Sequence, residues 1–513
     1  MPFINKHAGK ILLLASLIIT VFTYRNYGVS WDEWSQVQIG SVSYNYLFHG
    51  DNALKTFCVA DYGVAFELPL LIIQKILGIT DSRDIYFFRH LLTNFLFLFS
   101  AYIFFLLIDF LYHSKILASL GFCFLVINPL IYGHSFFNAK DVPFLSLFIL
   151  SFYAAAIAFK KYEYRYFIAL GAVCALVTNI RIMGLLMILC VGILFLLDFI
   201  TSFDDKQKRK KTIQSFLVFS FSTMAVLYAT WPYLYEHPIR NLYIAFMDLK
   251  RFGWWGKFLF MGKVVDGHEI PYNYAITWFF ISNPLPYLLF GFVGMTLFII
   301  QLIKRPLSFI RNTLERNNLI YFACFVGPLA SIFIFHSVLY DAWRHLYFIY
   351  PAFILFAIYF LDKIFQTKAK SASIILAFIG IVSTGYHIVK YFPFGHVYFN
   401  ELMRFDEPEH LRKTYELEYW ATSYMQGMEY ILAHDQRMRI VVTGSPDMPC
   451  LYNLGILKKD DRSRLIYTDK ENEADYLITN YRLHPQDFLY APIQNIYTIK
   501  VLDNSILSVF KLK

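Results

Sequence analysis

The sequence predicts a polytopic α-helical membrane protein with a small soluble α/β domain at its C-terminal end. Three observations carry this. Of 513 residues, 57% are hydrophobic and only 16% are charged, far below the quarter usual for soluble domains. Apolar segments recur along the first 391 residues, separated by short basic runs. Beyond residue 391 the composition becomes that of a soluble chain.

Apolar segments lie at 11–24, 91–112, 116–132, 143–159, 166–180, 182–200, 213–231, 277–302, 318–338, 346–361 and 372–391, eleven in all. Several fall short of the ~20 residues a straight span needs. Placing Lys6 and Lys10 in the cytoplasm and counting eleven crossings puts every basic run on that side: Lys115, Lys160–Arg165, Lys206–Lys211, Lys304–Arg316 and Lys363–Lys370. The positive-inside rule expects this. Reading 166–200 as one span would put Lys206–Lys211 outside, so two spans are kept. No small-x-small site follows the first segment, which reads as an uncleaved anchor.

The first outer loop, 25–90, holds apolar stretches at 34–48 and 64–78, too short or too polar to span, which read as helices on the membrane surface. A second outer loop, 232–276, is rich in aromatics and glycine, as in Arg251-Phe252-Gly253-Trp254-Trp255-Gly256. The division expected is 1–391 for the membrane part and 392–513 for the extracytoplasmic domain. In the latter, 415–434 reads as a helix and 439–444, 465–467, 476–479 and 496–501 as strands, while 505–511 alternates weakly.

The net charge of +9 is dispersed in inter-span runs and is no nucleic-acid signal. Four cysteines lie in apolar segments and read as packing. Cys58 and Cys450 fall in polar regions and are the one pair open to disulfide formation. No zinc-ligand spacing is present.

The same topology delivers a set of polar residues to one membrane face. Asp32 and Glu33 follow the first span. Tyr132–Pro143, containing His134, Asn138, Lys140 and Asp141, joins the third and fourth. Arg181 joins the fifth and sixth, and Tyr340, Asp341, Arg344 and His345 join the ninth and tenth. Taken singly, each has an ordinary reading: Asp141 before Pro143 as a helix cap, the arginines as snorkelling anchors, the histidines as structural. Taken together, carboxylates and cations at one membrane face are costly and fit glycosyl transfer from a lipid-phosphate sugar. The leaving phosphate needs cations, and the acceptor hydroxyl needs a carboxylate base. A second carboxylate is a candidate ligand for a divalent ion on the phosphate.

Four stretches then carry a resemblance. Asp32-Glu33, the run His134–Pro143, Tyr340–His345 ahead of Pro351, and Tyr398-Phe399-Asn400-Glu401 with Tyr415–Trp420 occur in the order found in GT-C glycosyltransferases. The type is that of protein O-mannosyltransferases and lipid A aminoarabinose transferases, in their bacterial forms. The resemblance implies an inverting transfer from a polyprenyl-phosphate sugar at the outer face of a bacterial inner membrane. Asp32 is then the base, with Glu33 beside it as the second candidate catalytic carboxylate. Lys140, Asp141, Arg181, Arg344 and His345 are expected at the donor phosphate, Asp141 also as the candidate metal ligand. His134, Asn138, Tyr340 and Asp341 are expected in the substrate pocket. The β-trefoil module of O-mannosyltransferases is missing, and 232–276 is too short to hold one, so the envelope acceptor is left open among glycan, lipid and protein. The alternative is a flippase for lipid-linked sugars without transfer chemistry, which calls for mid-span charges and repeated halves with broken helices.

Overall fold

The structure is a computed structural model that describes residues 2–202, 204–251, 256–404, 407–482, 484–486 and 494–513. Phe252–Trp255 of the aromatic outer loop lie outside the described residues. Helix α1 (Pro2–Thr23) leads into α2 (Glu33–His49) and α3 (Glu67–Ile76), which occupy the two short apolar stretches of the first loop. The bundle continues through α4 (Ser82–Tyr112), α5 (Lys115–Val126), α6 (Pro129–Phe137), α7 (Asp141–Lys161), α8 (Tyr164–Ile180), α9 (Leu185–Thr201) and α10 (Lys206–Thr230). After α11 (Pro238–Arg251) and the hairpin β1 (Lys257–Phe260) and β2 (Lys263–Asp266) come α12 (Tyr274–Ile281), α13 (Leu285–Lys304), α14 (Ser308–Arg311), α15 (Thr313–Phe335), α16 (Tyr350–Ile364) and α17 (Lys370–Lys390).

Among the described residues nine helices are long and apolar enough to cross a membrane, or ten if the bent pair α5–α6 is one span. The expectation of eleven fails at particular places. The 116–132 segment is two helices bent by 64°, because Asn128 sits before a proline, where helical backbone is disfavoured. Its side chain then caps α6 through the Ile131 N–H at 3.2 Å. The 277–302 segment also breaks, at Ser282–Pro284 for the same reason, but α13 beyond the break still reaches spanning length. The 166–180 segment forms α8, 17 residues long and below spanning length. It is separate from α9, joined by a single tight turn at Ile182–Gly184.

The helices bury a continuous core rich in phenylalanine, while Phe22, Phe221 and Val389 stand 72–79% exposed on the outside of the bundle. Outward apolar faces of this kind suit lipid. Glycine allows one close crossing: a Cβ on Gly294 of α13 would fall 1.9 Å from the Phe356 carbonyl oxygen of α16.

The C-terminal part adds α18 (His410–Thr414), α19 (Tyr424–His434), α20 (Asp447–Leu454), α21 (Lys459–Arg464) and a mixed sheet of β3 (Ile440–Ser445), β4 (Leu465–Tyr467), β5 (Tyr476–Thr479), β6 (Gln494–Val501) and β7 (Asn504–Lys511), in the order β4-β3-β5-β7-β6. The four expected strands all form, and the weakly alternating 505–511 falls in a fifth, β7. The expected 415–434 helix begins only at Tyr424. Ahead of it the Glu418 carboxylate accepts from the Thr422 N–H (2.9 Å) and the Ser423 hydroxyl (2.8 Å), holding a loop. Asn453 stitches this part to the first loop, donating to the Val29 carbonyl and accepting the Val29 N–H at 3.0 and 2.8 Å. The Arg462–Asp81 pair (2.6 Å) makes a second stitch. Cys58 is exposed, Cys450 is buried, and both are free thiols, so the disulfide left open by the sequence is not formed.

Candidate active site

Five stretches far apart in sequence meet at one end of the bundle. Asp32 stands at the start of α2, Lys140 and Asp141 at the start of α7, and Arg181 just after α8. Asp341–Arg344 lies ahead of α16, and Arg482 follows β5. Their charges alternate. Arg482 pairs with Asp341, and Asp341 with Arg344 at 3.3 Å. Arg344 reaches Asp32 at 2.6 Å and Asp141 at 3.7 Å, and Asp141 pairs with Arg181. Burying so much charge is tolerable only because each carboxylate meets a guanidinium.

Asn138 builds the α7 end of this chain. Its side-chain carbonyl accepts the Asp141 N–H at 2.8 Å, and its amide donates to Asp141 Oδ2 at 2.9 Å. The Asp141 oxygens are therefore engaged by side chains, which answers the cap reading of this residue. Arg344 is 2% exposed and lies over the rings of Trp420 (4.6 Å) and Tyr340 (4.9 Å). Asp341 and Ala342 both adopt left-handed backbone, φ 56° and 60°. Each such residue costs about 1–3 kcal/mol.

The Asp32 side chain is 36% exposed, unlike the rest of the cluster. Burial by surrounding atoms pushes its carboxyl up, but the Arg344 guanidinium, then Lys140 and Arg181, outweigh this and hold it below the usual aspartate range. Lys140 has no carboxylate partner among the described ion pairs. Its ammonium sits 3.0 Å from the Tyr62 ring centroid. Burial first, then Arg181, draw its pKa well below the lysine range, against the pull of Asp32, Asp141 and Asp61. The Tyr62 loop is pinned beside Arg181: Asn179 Oδ1 accepts the Ala65 N–H at 3.0 Å. A Cβ on Gly63 would meet the Asn179 carbonyl oxygen at 1.3 Å, so only glycine lets the loop pass there.

Other expected residues stand apart. Glu33 turns inward, 1% exposed, with one oxygen on His90 Nε2 (2.9 Å) and the other on the Ser30 N–H (2.8 Å). His134 is fully buried among Phe137, Tyr347, His396 and Trp420, at ring distances of 5.1–5.8 Å. Trp420 lies against both this ring and Arg344. His345 packs edge-on to Tyr340 at 4.7 Å, beside the charged chain. Residues the sequence did not single out are Arg482 and Tyr62; Glu416 stood within the Tyr415–Trp420 stretch but with no role of its own. Arg482 follows a strand of the soluble domain, far from any span, and no local pattern marks it.

A divalent ion does not fit this arrangement. No group of three metal-ligating side chains occurs among the described residues. Asp32, Asp141 and Asp341 are held apart by guanidinium groups, and an ion at Asp141 would have to displace Arg181 and Asn138.

No family model matches the sequence, and no curated protein matches it. Solved structures do match. The apo oligosaccharyltransferase of Archaeoglobus fulgidus superposes with a TM-score of 0.53 at 11% identity, over 93% of this chain and 66% of that one. ArnT from Cupriavidus metallidurans, bound to undecaprenyl phosphate, gives 0.45 at 11% identity over 98% of both chains. The chain thus spans 66% of the archaeal enzyme's length. At this identity the likeness is one of fold alone, shared with the archaeal oligosaccharyltransferase.

Proposed function

We propose that the protein is a glycosyltransferase that moves a sugar from a polyprenyl-phosphate donor to an envelope acceptor, glycan, lipid or protein, with inversion at the anomeric carbon. The observation that carries the reading is the half-open Asp32 carboxylate held against a buried Arg344, with Arg181 and Lys140 around it. The setting is the outer face of a bacterial inner membrane, with the domain of 392–513 on that side and lipids around the bundle.

The donor phosphate competes with Asp32 for the Arg344 guanidinium. Once the phosphate takes the Arg344 guanidinium, Asp32 loses the partner that kept its pKa low and becomes a better base at the moment it is needed. The acceptor hydroxyl passes its proton to Asp32 while its oxygen attacks the anomeric carbon. The bond from that carbon to the phosphate oxygen breaks, and its electron pair leaves on polyprenyl phosphate. Arg344, Arg181 and Lys140 meet the charge that develops there. Asp141 acts by holding Arg181, and Glu33 by fixing the start of α2. No step needs a metal ion.

Transfer of labelled sugar from polyprenyl-phosphate donors by the purified protein tests this. Wild type is expected to transfer, and Asp32→Asn to lose at least a thousandfold in rate while remaining folded. Full activity in Asp32→Asn overturns the assignment of the base. No transfer, with donor still crossing liposome membranes, replaces the transferase with a flippase.

A further inference from the structure

The strained turn at Asp341–Ala342 aims Arg344, and its supports come from outside the turn. The Tyr274 hydroxyl accepts the Ala342 N–H at 3.0 Å. On the other side Arg482 pairs with Asp341. Arg482 is 9% exposed and is itself fixed. It donates to the Tyr419 carbonyl at 2.6 Å, and its guanidinium lies 5.5 Å from the Trp31 ring centroid. Trp31 is the neighbour of Asp32, and Asp341 shares its carboxylate with Arg344. One side chain from the loop after β5 thus touches both segments that carry the central Asp32–Arg344 pair.

We infer that Arg482 is a positioning residue. Through Asp341 and Trp31 it holds the 340–344 turn and the start of α2 in register, so that a lipid phosphate meets an Arg344 already aimed. The sheet is then part of the site's working structure. Arg482 touches no reacting atom in this account. Its ligand-directed part rests on the proposed glycosyl transfer; its structural part does not. An arginine is required because one planar group must serve Asp341, the Tyr419 carbonyl and the Trp31 face together, which an ammonium does less well.

The test uses the full-length protein in detergent, comparing wild type, Arg482→Gln and Arg482→Lys. Hydrogen exchange is read over 338–346, over α7 and over β3. Affinity for undecaprenyl phosphate and the donor KM and kcat are measured alongside. Arg482→Gln is expected to raise exchange in 338–346 at least tenfold with α7 and β3 unchanged. It should weaken undecaprenyl phosphate binding and raise donor KM by a similar factor, with kcat less affected. Arg482→Lys is expected to fall between the two. Unchanged exchange in 338–346, or a rise spread evenly through β3, overturns the inference. If Arg482→Gln does not fold, the same readings on Arg482→Lys decide: wild-type values overturn it, and loosening confined to 338–346 supports it. Should wild type transfer no sugar while 338–346 loosens as expected, the proposed function falls and the positioning role stands. Transfer by wild type with an unmoved donor KM and unmoved exchange in the variants removes the positioning role alone.

Discussion

At the residue scale, environment rather than residue type separates the carboxylates. Asp32 is held low by Arg344, whereas Glu416, 6% exposed, is pushed up to about 8. Burial is the main cause and Asp341 adds to it, with Arg482 and the Leu259 N–H opposing. Tyr274 also faces it. A carboxyl that keeps its proton to about 8 when folded, against 4.5 unfolded, contributes stability fully present below 4.5. That contribution drains away as pH rises to 8. Glu416→Gln lacks this drain. Its Tm relative to wild type is expected to climb steadily from pH 5 to pH 8.5, and a pH-independent difference contradicts the assignment. Some of these residues were legible in sequence: Asp32, Asp141, Arg181 and Arg344 stand at helix ends, where a topology count places them. Glu33 was not, because one step along the first turn of α2 turns its side chain from the cleft into the core. Glu416 sits in a stretch whose pattern reads as helix, so its burial against a turn of the membrane part was hidden.

At the scale of elements, α2 and α3 are bound to α4 by buried polar pairs. Glu33 meets His90 (2.9 Å), and Glu67 pairs with Arg89, each 2% exposed. A buried guanidinium left without its carboxylate costs about 3–5 kcal/mol, whereas replacing both partners by apolar groups is close to neutral. Glu67→Gln is therefore expected to lower stability by that order, and Glu67→Leu with Arg89→Met to recover most of it. Thermal denaturation in detergent reads both, and equal losses in the two proteins contradict the account. Here the sequence showed where apolar segments lie and not where they bend. Asn128-Pro129 and Asn283-Pro284 break two of them, and the prolines that do so look no different on a hydropathy scale from prolines at span ends.

At the scale of the whole molecule, five sequence-distant stretches build one charged cluster at one end of a polytopic helical bundle. Its three aspartates, Asp32, Asp141 and Asp341, each already meet a guanidinium. Sugar transfer is accordingly expected to survive EDTA with less than a twofold change. Loss of activity that added Mg²⁺ or Mn²⁺ restores contradicts this. The fold class was readable because hydropathy and loop charge sum over many residues, and errors of a few positions cancel. The contribution of the C-terminal sheet was not readable, since a single arginine after a strand carries no periodic signal.

That contribution has a bearing on protein engineering. A chimera joining this bundle to a sheet from another protein would leave Asp341 a buried carboxylate with Arg344 alone for a partner, in a turn of two residues in left-handed backbone. Swaps are expected to succeed only when the 341–344 turn travels with its matching loop after β5, so the transplantable unit is the seam between the two parts rather than either part alone.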